Sequence, residues 1–135
     1  MNETILTTLL YSGFLFHIER IFEMKKNKII KKSQEYTNII NMGNLVKNKY
    51  FSIFYKKDNS KKYGISVPTK TGKAVIRNKI KRRVKNIIDN NEKYIQSNYN
   101  YVIITKRTVL DLSYEEMEES LMYLFNKIGE YNEKK

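Results

Sequence analysis

At 135 residues, with 26 Lys+Arg against 14 Asp+Glu, the chain has room for one domain with a modest core and carries a formal net charge of +12, with a pI of about 9.7. The absence of cysteine removes disulfides, thiolate nucleophiles and cysteine-based zinc sites, and a single histidine, His17, rules out histidine-rich metal centres. A hydrophobic share of 41% argues against disorder, so the charge speaks to partners: a domain this basic attracts polyanions, either nucleic acid or an anionic membrane surface.

Residues 1–23 differ from the rest. They carry a net −2 (Glu3, Glu19 and Glu23 against Arg20), which leaves +14 on residues 24–135. The uncharged stretch 4–18 is shorter than the roughly 20 apolar residues that span a bilayer. It lacks the positive n-region and cleavage site of a signal peptide. Lys25, Lys26 and Lys28 follow Met24 at once, so Met24 is the expected natural start and residues 1–23 an extension read in frame from upstream. A genuine amphipathic extension and a membrane anchor are the alternatives. His17 lies in this extension and is not expected to act as a ligand or base.

After the basic lead-in at residues 25–32, Ser33 is placed to cap a short helix. Tyr36, Ile39 and Ile40 fall on one face of it, and Gly43 and Asn44 end it. Residues 50–55 (YFSIFY) are aromatic and β-branched and predict a strand, with Phe51, Ile53 and Tyr55 on one side and Tyr50, Ser52 and Phe54 on the other. The polar run 56–62 reads as a hairpin connection to a second strand at 63–67, stopped by Pro68. A helix is predicted over 74–91, with an apolar stripe of Ile76, Ile80, Val84, Ile87 and Ile88. The continuous apolar run 101–105 predicts a strand buried on both faces. A last helix starts at Ser113 with Glu116 as the capping-box partner and Leu112 and Met117 as the hydrophobic staple. Met117, Leu121, Leu124, Phe125 and Ile128 form its buried face. The order is α-β-β-α-β-α, with room for a third strand at 46–49 or 56–62, and the class is a single α+β domain.

The charge is concentrated. From Asn59 to Ile88 there are ten cations (Lys61, Lys62, Lys70, Lys73, Arg77, Lys79, Lys81, Arg82, Arg83 and Lys85) and no acid. Arg77, Lys81 and Lys85 repeat at i, i+4, with Asn78 and Arg82 on the adjacent row, flanking the apolar stripe. Like charges at this spacing cost an isolated helix about 0.2–0.5 kcal/mol per pair, so a stable helix with such a face suggests an anion that relieves the repulsion. Ahead of it, residues 68–73 bring Lys70, Gly72 and Lys73 to a helix N-terminus, where free N–H groups and the dipole favour phosphate. The GxxxxGK[ST] spacing of a nucleotide-hydrolysing loop is absent. Tyr36 and Ile40 of the first helix, with Phe54 or Tyr50 of the sheet, are candidates to line a groove for unpaired bases. Glu115, Glu116, Glu118 and Glu119 complement a helix dipole rather than form a metal or acid-base cluster.

The run Gly72-Lys-Ala-Val-Ile-Arg77-Asn78-Lys79-Ile80-Lys81-Arg82 resembles the G-x-A-V-x-R-N-x-x-K-R signature of the bacterial ribonuclease P protein subunit. The likeness extends over residues 24–128, through the Met24 start, Lys31-Lys32-Ser33 with Tyr36, Gly64-Ile-Ser-Val67, Tyr101-Val-Ile-Ile104, and Leu112-Ser-Tyr-Glu-Glu116 with Leu121, Leu124 and Phe125. It implies an α-β-β-β-α-β-α fold with a left-handed β-α-β crossover, like the second domain of a small-subunit ribosomal protein and domain IV of elongation factor G. The implied function is that of the non-catalytic protein subunit of an endoribonuclease. In that family the RNA subunit catalyses hydrolytic removal of the 5′ leader of precursor tRNA with bound Mg²⁺, and the protein holds the catalytic RNA and the leader.

Carried over by position, Arg77, Asn78, Lys81 and Arg82 match the residues that face RNA. Lys70, Lys73, Arg83 and Lys85 become additional phosphate contacts, and Tyr36, Ile40 and Phe54 match the leader-binding cleft. Ile40 stands where an aromatic is common, and Pro68-Thr69 precede Lys70 where Ser-Lys is frequent. The partners implied are RNase P RNA and precursor tRNA, with no membrane and no small-molecule substrate, and the implied location is cytoplasmic. A structural RNA-binding protein such as a ribosomal component and a membrane-surface protein are the readings from other classes.

Overall fold

Four strands and three amphipathic helices divide the apolar residues unequally between the two faces of one sheet. A computed structural model of the chain describes residues 29–30 and 32–133, with side chains to residue 129. The expectations for residues 1–23, for the start at Met24 and for His17 lie outside these residues. In chain order the elements are α1 (Ser33–Met42), β1 (Asn44–Lys47), β2 (Phe51–Lys57), β3 (Tyr63–Ser66), α2 (Ala74–Asn90), β4 (Tyr99–Thr105) and α3 (Tyr114–Glu133). Short 3-10 turns lie at Thr69–Thr71, Glu92–Tyr94 and Arg107–Asp111. This is the expected α-β-β-β-α-β-α order, the third strand being β1. No helix among the described residues is long and apolar enough to cross a membrane.

The sheet order is β1-β2-β4-β3, with β2 antiparallel to both β1 and β4, and β3 parallel to β4. Residues 56–62 are therefore not a hairpin between paired strands, because β4 takes the place beside β2 and moves β3 to the edge. The physical reason is the composition of β4. A strand apolar on both sides belongs at the sheet centre, where both faces are covered. The displaced connection is closed by buried Asn100, whose Nδ2 donates to Asp58 Oδ2 at 2.7 Å and whose Oδ1 accepts from Ser60 Oγ and Lys62 N, each at 3.1 Å.

On one face, Val46, Ile53, Ile103 and Ile65 form a cross-strand row of buried side chains, flanked by Phe51, Tyr55, Tyr63 and Tyr101. Both long helices cover this face. α2 contributes Ile80, Val84, Ile87 and Ile88, and α3 contributes Met117, Leu121, Leu124, Phe125 and Ile128, all buried in one cluster. The capping box of α3 forms in both directions: Ser113 N donates to Glu116 Oε1 at 2.9 Å and Glu116 N to Ser113 Oγ at 3.2 Å. Leu112 and Met117 both pack in the cluster, as a staple requires.

Three expectations change. Ser33 is already helical, so the flanking position falls to Lys32 and no side chain caps α1. Ile76 is exposed rather than part of the α2 stripe, because it lies in the first turn, beyond the sheet edge that covers Ile80. Tyr50 precedes β2, where the strand alternation does not yet hold, and it packs against the main core instead of the opposite face.

Candidate nucleic-acid interface

The other sheet face carries the row Leu45, Phe54, Val102 and Gly64, one register step from the buried row. Only α1 covers it, and only in part. Ile39 of α1, Ile30 and Val102 are buried together, and Tyr36, Ile40, Phe54 and Ile104 pack around them half-buried. Tyr36, Ile40 and Phe54, grouped from the sequence as the lining of one groove, thus pack together between α1 and the sheet.

The cleft is built around a missing side chain. A Cβ on Gly64 would lie 2.5 Å from Tyr36 Cε2, so the tyrosine ring rests directly on the β3 backbone. Its hydroxyl shares a hydrogen bond with the Ser66 side chain, and burial raises its pKa above the ordinary phenol value despite that bond. A 3.8 Å ion pair between Lys62 Nζ and Glu35 Oε2 ties α1 to the approach of β3. Toward β1 the floor opens, since Phe54 is half-buried and Leu45 is exposed. Sequence reasoning did not include Leu45, Gly64, Ser66 or Ile104 in this site. The period-2 alternation of β4 places Ile104 on the Val102 face, but the alignment of Leu45 and Gly64 with Phe54 needs the register.

The cationic region lies past the other end of β3. The chain leaves Ser66, turns through Thr69–Thr71 and enters α2, whose outer surface presents Asn78, Lys79, Lys81 and Arg82 exposed and Arg77, Arg83 and Lys85 partly so. Lys70 and Lys73 are exposed on the turn. No side chain caps α2 and no acid stands in its first turn, in contrast to α3, so its N-terminal dipole is left uncompensated. Arg77 differs from the others. It does not simply project away from the core: its Nε donates to the Gly72 carbonyl at 3.1 Å, fixing the turn to the helix while the rest of the guanidinium remains at the surface. Lys61, by contrast, is taken up structurally, with Nζ 3.0 Å from Glu92 Oε2 and 2.8 Å from the Glu92 carbonyl.

β3 is thus the hinge line of the site. Gly64 and Ser66 face Tyr36 on one side, Ile65 faces the core beneath α2 on the other, and the backbone runs on into the cationic turn. Exposed cations can neutralise phosphates, and a half-covered aromatic and aliphatic surface can receive unpaired bases. Among the described residues no group of three His, Asp or Glu side chains could hold a metal ion.

Comparison with known proteins agrees with this fold. The family model described as Ribonuclease P matches residues 24–129. The ribonuclease P protein component of Mycoplasma mycoides is 39% identical over 108 residues, which cover 78% of this chain and 99% of that protein. The corresponding component of Bacillus mycoides is 36% identical over 110 residues, covering 78% and 95%. Among solved structures, a Staphylococcus aureus RNase P protein mutant with defective mRNA degradation activity superposes with a TM-score of 0.74 at 27% identity, covering 78% of this chain and 92% of that one. The RNase P protein from Thermotoga maritima superposes with a TM-score of 0.69 at 26% identity, covering 73% and 94%.

Proposed function

The chain belongs to the ribonuclease P protein family, and from that premise we propose that it binds the catalytic RNA of ribonuclease P through α2 and the 5′ leader of precursor tRNA through the α1–sheet cleft, promoting endonucleolytic removal of the leader. The observation that carries this reading is that one edge strand, β3, seats the cluster of Tyr36, Ile40 and Phe54 and leads directly into α2, whose stretch from Ala74 to Ile88 carries Arg77, Asn78, Lys81, Arg82, Arg83 and Lys85 and no acid. Lys70 and Lys73 extend the cationic surface onto the turn.

The mechanism is electrostatic and geometric. Two RNAs repel one another, and a protein that offers cations to one and a cleft to the other offsets that repulsion and aligns the scissile bond with the catalytic RNA. On this reading the bond is broken by the RNA with its own Mg²⁺, and no residue of this chain serves as acid, base or nucleophile. The protein's contribution then appears as a lower Mg²⁺ requirement and as tighter binding of precursor than of mature tRNA. Each phosphate that α2 neutralises steepens the salt dependence of RNA affinity by about 0.7–0.9 in log–log slope.

The test is cleavage of a precursor tRNA by a bacterial ribonuclease P RNA at low Mg²⁺, with and without the full chain and, in parallel, residues 24–135. The expected result is strong stimulation of cleavage at the mature 5′ end by both. RNA binding without stimulation, with a cognate RNA supplied, overturns the reading and leaves a structural RNA-binding protein. Arg82→Ala is expected to weaken binding of the catalytic RNA. Tyr36→Ala and Phe54→Ala are expected to reduce the preference for a long leader, and an equal loss for mature and precursor tRNA would mean that they act through folding instead.

A further inference from the structure

Ala74, Val75 and Ile76, the first three residues of α2, are all exposed, Val75 at 71% and Ile76 at 38%. Three consecutive exposed apolar residues are a fault in a sequence unless a partner covers them. Ala74 is a strong helix former and Ile76 packs over Gly72, but neither helix formation nor the core accounts for Val75. Valine and isoleucine are poorer helix formers than the straight-chain residues usual on a helix surface, and the core face of α2 begins at Ile80. They also stand in the chain between the exposed Lys70 and Lys73 on one side and Arg77, Asn78 and Lys79 on the other.

This corner is held in place. Thr71 N donates to the Pro68 carbonyl at 3.0 Å, Gly72 N to the Thr69 carbonyl at 3.2 Å, and Arg77 Nε to the Gly72 carbonyl. Gly72 adopts φ 157°, a conformation that side chain-bearing residues rarely take. A Cβ there would meet Ile76 Cδ1 at 3.3 Å, so Ile76 lies over the glycine and steadies the turn while Val75 stands clear. A fixed apolar knob ringed by cations matches a nucleoside. The flat face of a base or the apolar edge of a ribose packs on the valine, and the flanking phosphates meet the lysines and arginine.

We propose that the Ala74–Ile76 corner is a docking point for an unstacked nucleoside of the catalytic RNA, adding to the phosphate contacts of α2 an apolar contact that salt does not screen. This rests on the RNA-binding reading of α2 given above. The two components separate experimentally because counterion release sets the salt slope whereas apolar burial does not contribute to it.

The experiment measures affinity of the full chain for a ribonuclease P RNA across a salt series, for the wild type, Val75→Ala, Val75→Gln and Arg82→Ala, with circular dichroism on each. Alanine and glutamine are better helix formers than valine, so both Val75 variants keep the helix. Loss of the apolar contact is expected to weaken binding about five- to tenfold at every salt concentration, with the slope unchanged. Arg82→Ala is expected to flatten the slope by about 0.7–0.9. If both Val75 variants bind as the wild type while Arg82→Ala flattens the slope, the nucleoside contact is overturned, the RNA-binding reading stands, and a protein partner becomes the remaining occupant. If Arg82→Ala leaves affinity and slope unchanged, the reading of α2 as the RNA-binding helix fails and this inference fails with it.

Discussion

Two adjacent rows cross the sheet on opposite faces and meet different fates. Val46, Ile53, Ile103 and Ile65 are all buried under α2 and α3, whereas Leu45, Phe54, Val102 and Gly64 pass from exposed, through half-buried, to covered. The first row sits beneath 17- and 20-residue helices, the second beneath a helix of 10 residues that reaches only part of the way. A short helix over a full-width sheet leaves a strip of apolar floor with one wall, which is the shape of a groove for an extended ligand. One face is therefore closed over by helices, and the other keeps part of its apolar surface open, as the proposed leader-binding role requires.

The largest expected effect falls on the fully covered row. Ile103→Ala should lower unfolding stability by about 2–5 kcal/mol in urea denaturation, through lost burial and the cavity it leaves. Any loss of cleavage activity should vanish where the variant is fully folded. A reduced leader preference in the folded variant would show that the two faces are not independent.

Gly64→Ala tests the half-covered face. The new methyl meets the Tyr36 ring and should displace it, costing about 1–3 kcal/mol in stability. Leader preference should fall as it does in Tyr36→Ala. A variant that loses stability but keeps full leader preference would mean that the seat of the Tyr36 ring on β3 has no part in binding.

The two arginines of α2 should separate under conservative exchange. Arg77→Lys keeps the charge but loses the fixed Nε bond to Gly72, and should weaken RNA binding about fivefold, while Arg82→Lys, at an exposed position, should change it by less than about twofold. Equal effects in a filter-binding assay would remove the positioning role of Arg77.

The smallest effects fall on two buried tyrosines, whose signature is read at alkaline pH. Burial raises the phenols of Tyr63 and Tyr101 above their ordinary value of 10.0, with the neighbouring Glu92 carboxylate adding to the shift at both. A raised folded-state value means that the folded chain holds these protons more tightly than the unfolded chain. The stability they contribute is therefore complete below pH 10 and is lost as pH rises above it. Tyr63→Phe and Tyr101→Phe should each flatten that alkaline loss. They also remove hydrogen bonds to Glu92 and to the Gln96 carbonyl, and so should cost about 1 kcal/mol each at neutral pH. An unchanged slope in denaturation followed by tyrosinate absorbance would contradict the assignment.

The sequence alone determined the elements of strong period and sharp ends. The α3 capping box was legible because Ser113 and Glu116 interact three residues apart, and the α2 stripe from Ile80 to Ile88 and the doubly buried β4 were legible because burial imprints a local pattern. It also located the cations of α2 and the three cleft residues Tyr36, Ile40 and Phe54, though for the cleft the family resemblance supplied the pairing that periodicity could not. The tertiary structure decided the rest. Inserting β4 between β2 and β3 overturned the hairpin at residues 56–62, since strand order depends on which strand needs cover on both faces and not on chain order. Ile76 left the core and Tyr50 entered it because an apolar side chain at the end of an element is buried only if a neighbouring element extends far enough to cover it. The seat of Tyr36 on Gly64, the alignment of Leu45 with Phe54 and the bond from Arg77 to Gly72 all depend on register and approach distance, which exist only once the chain has closed on itself.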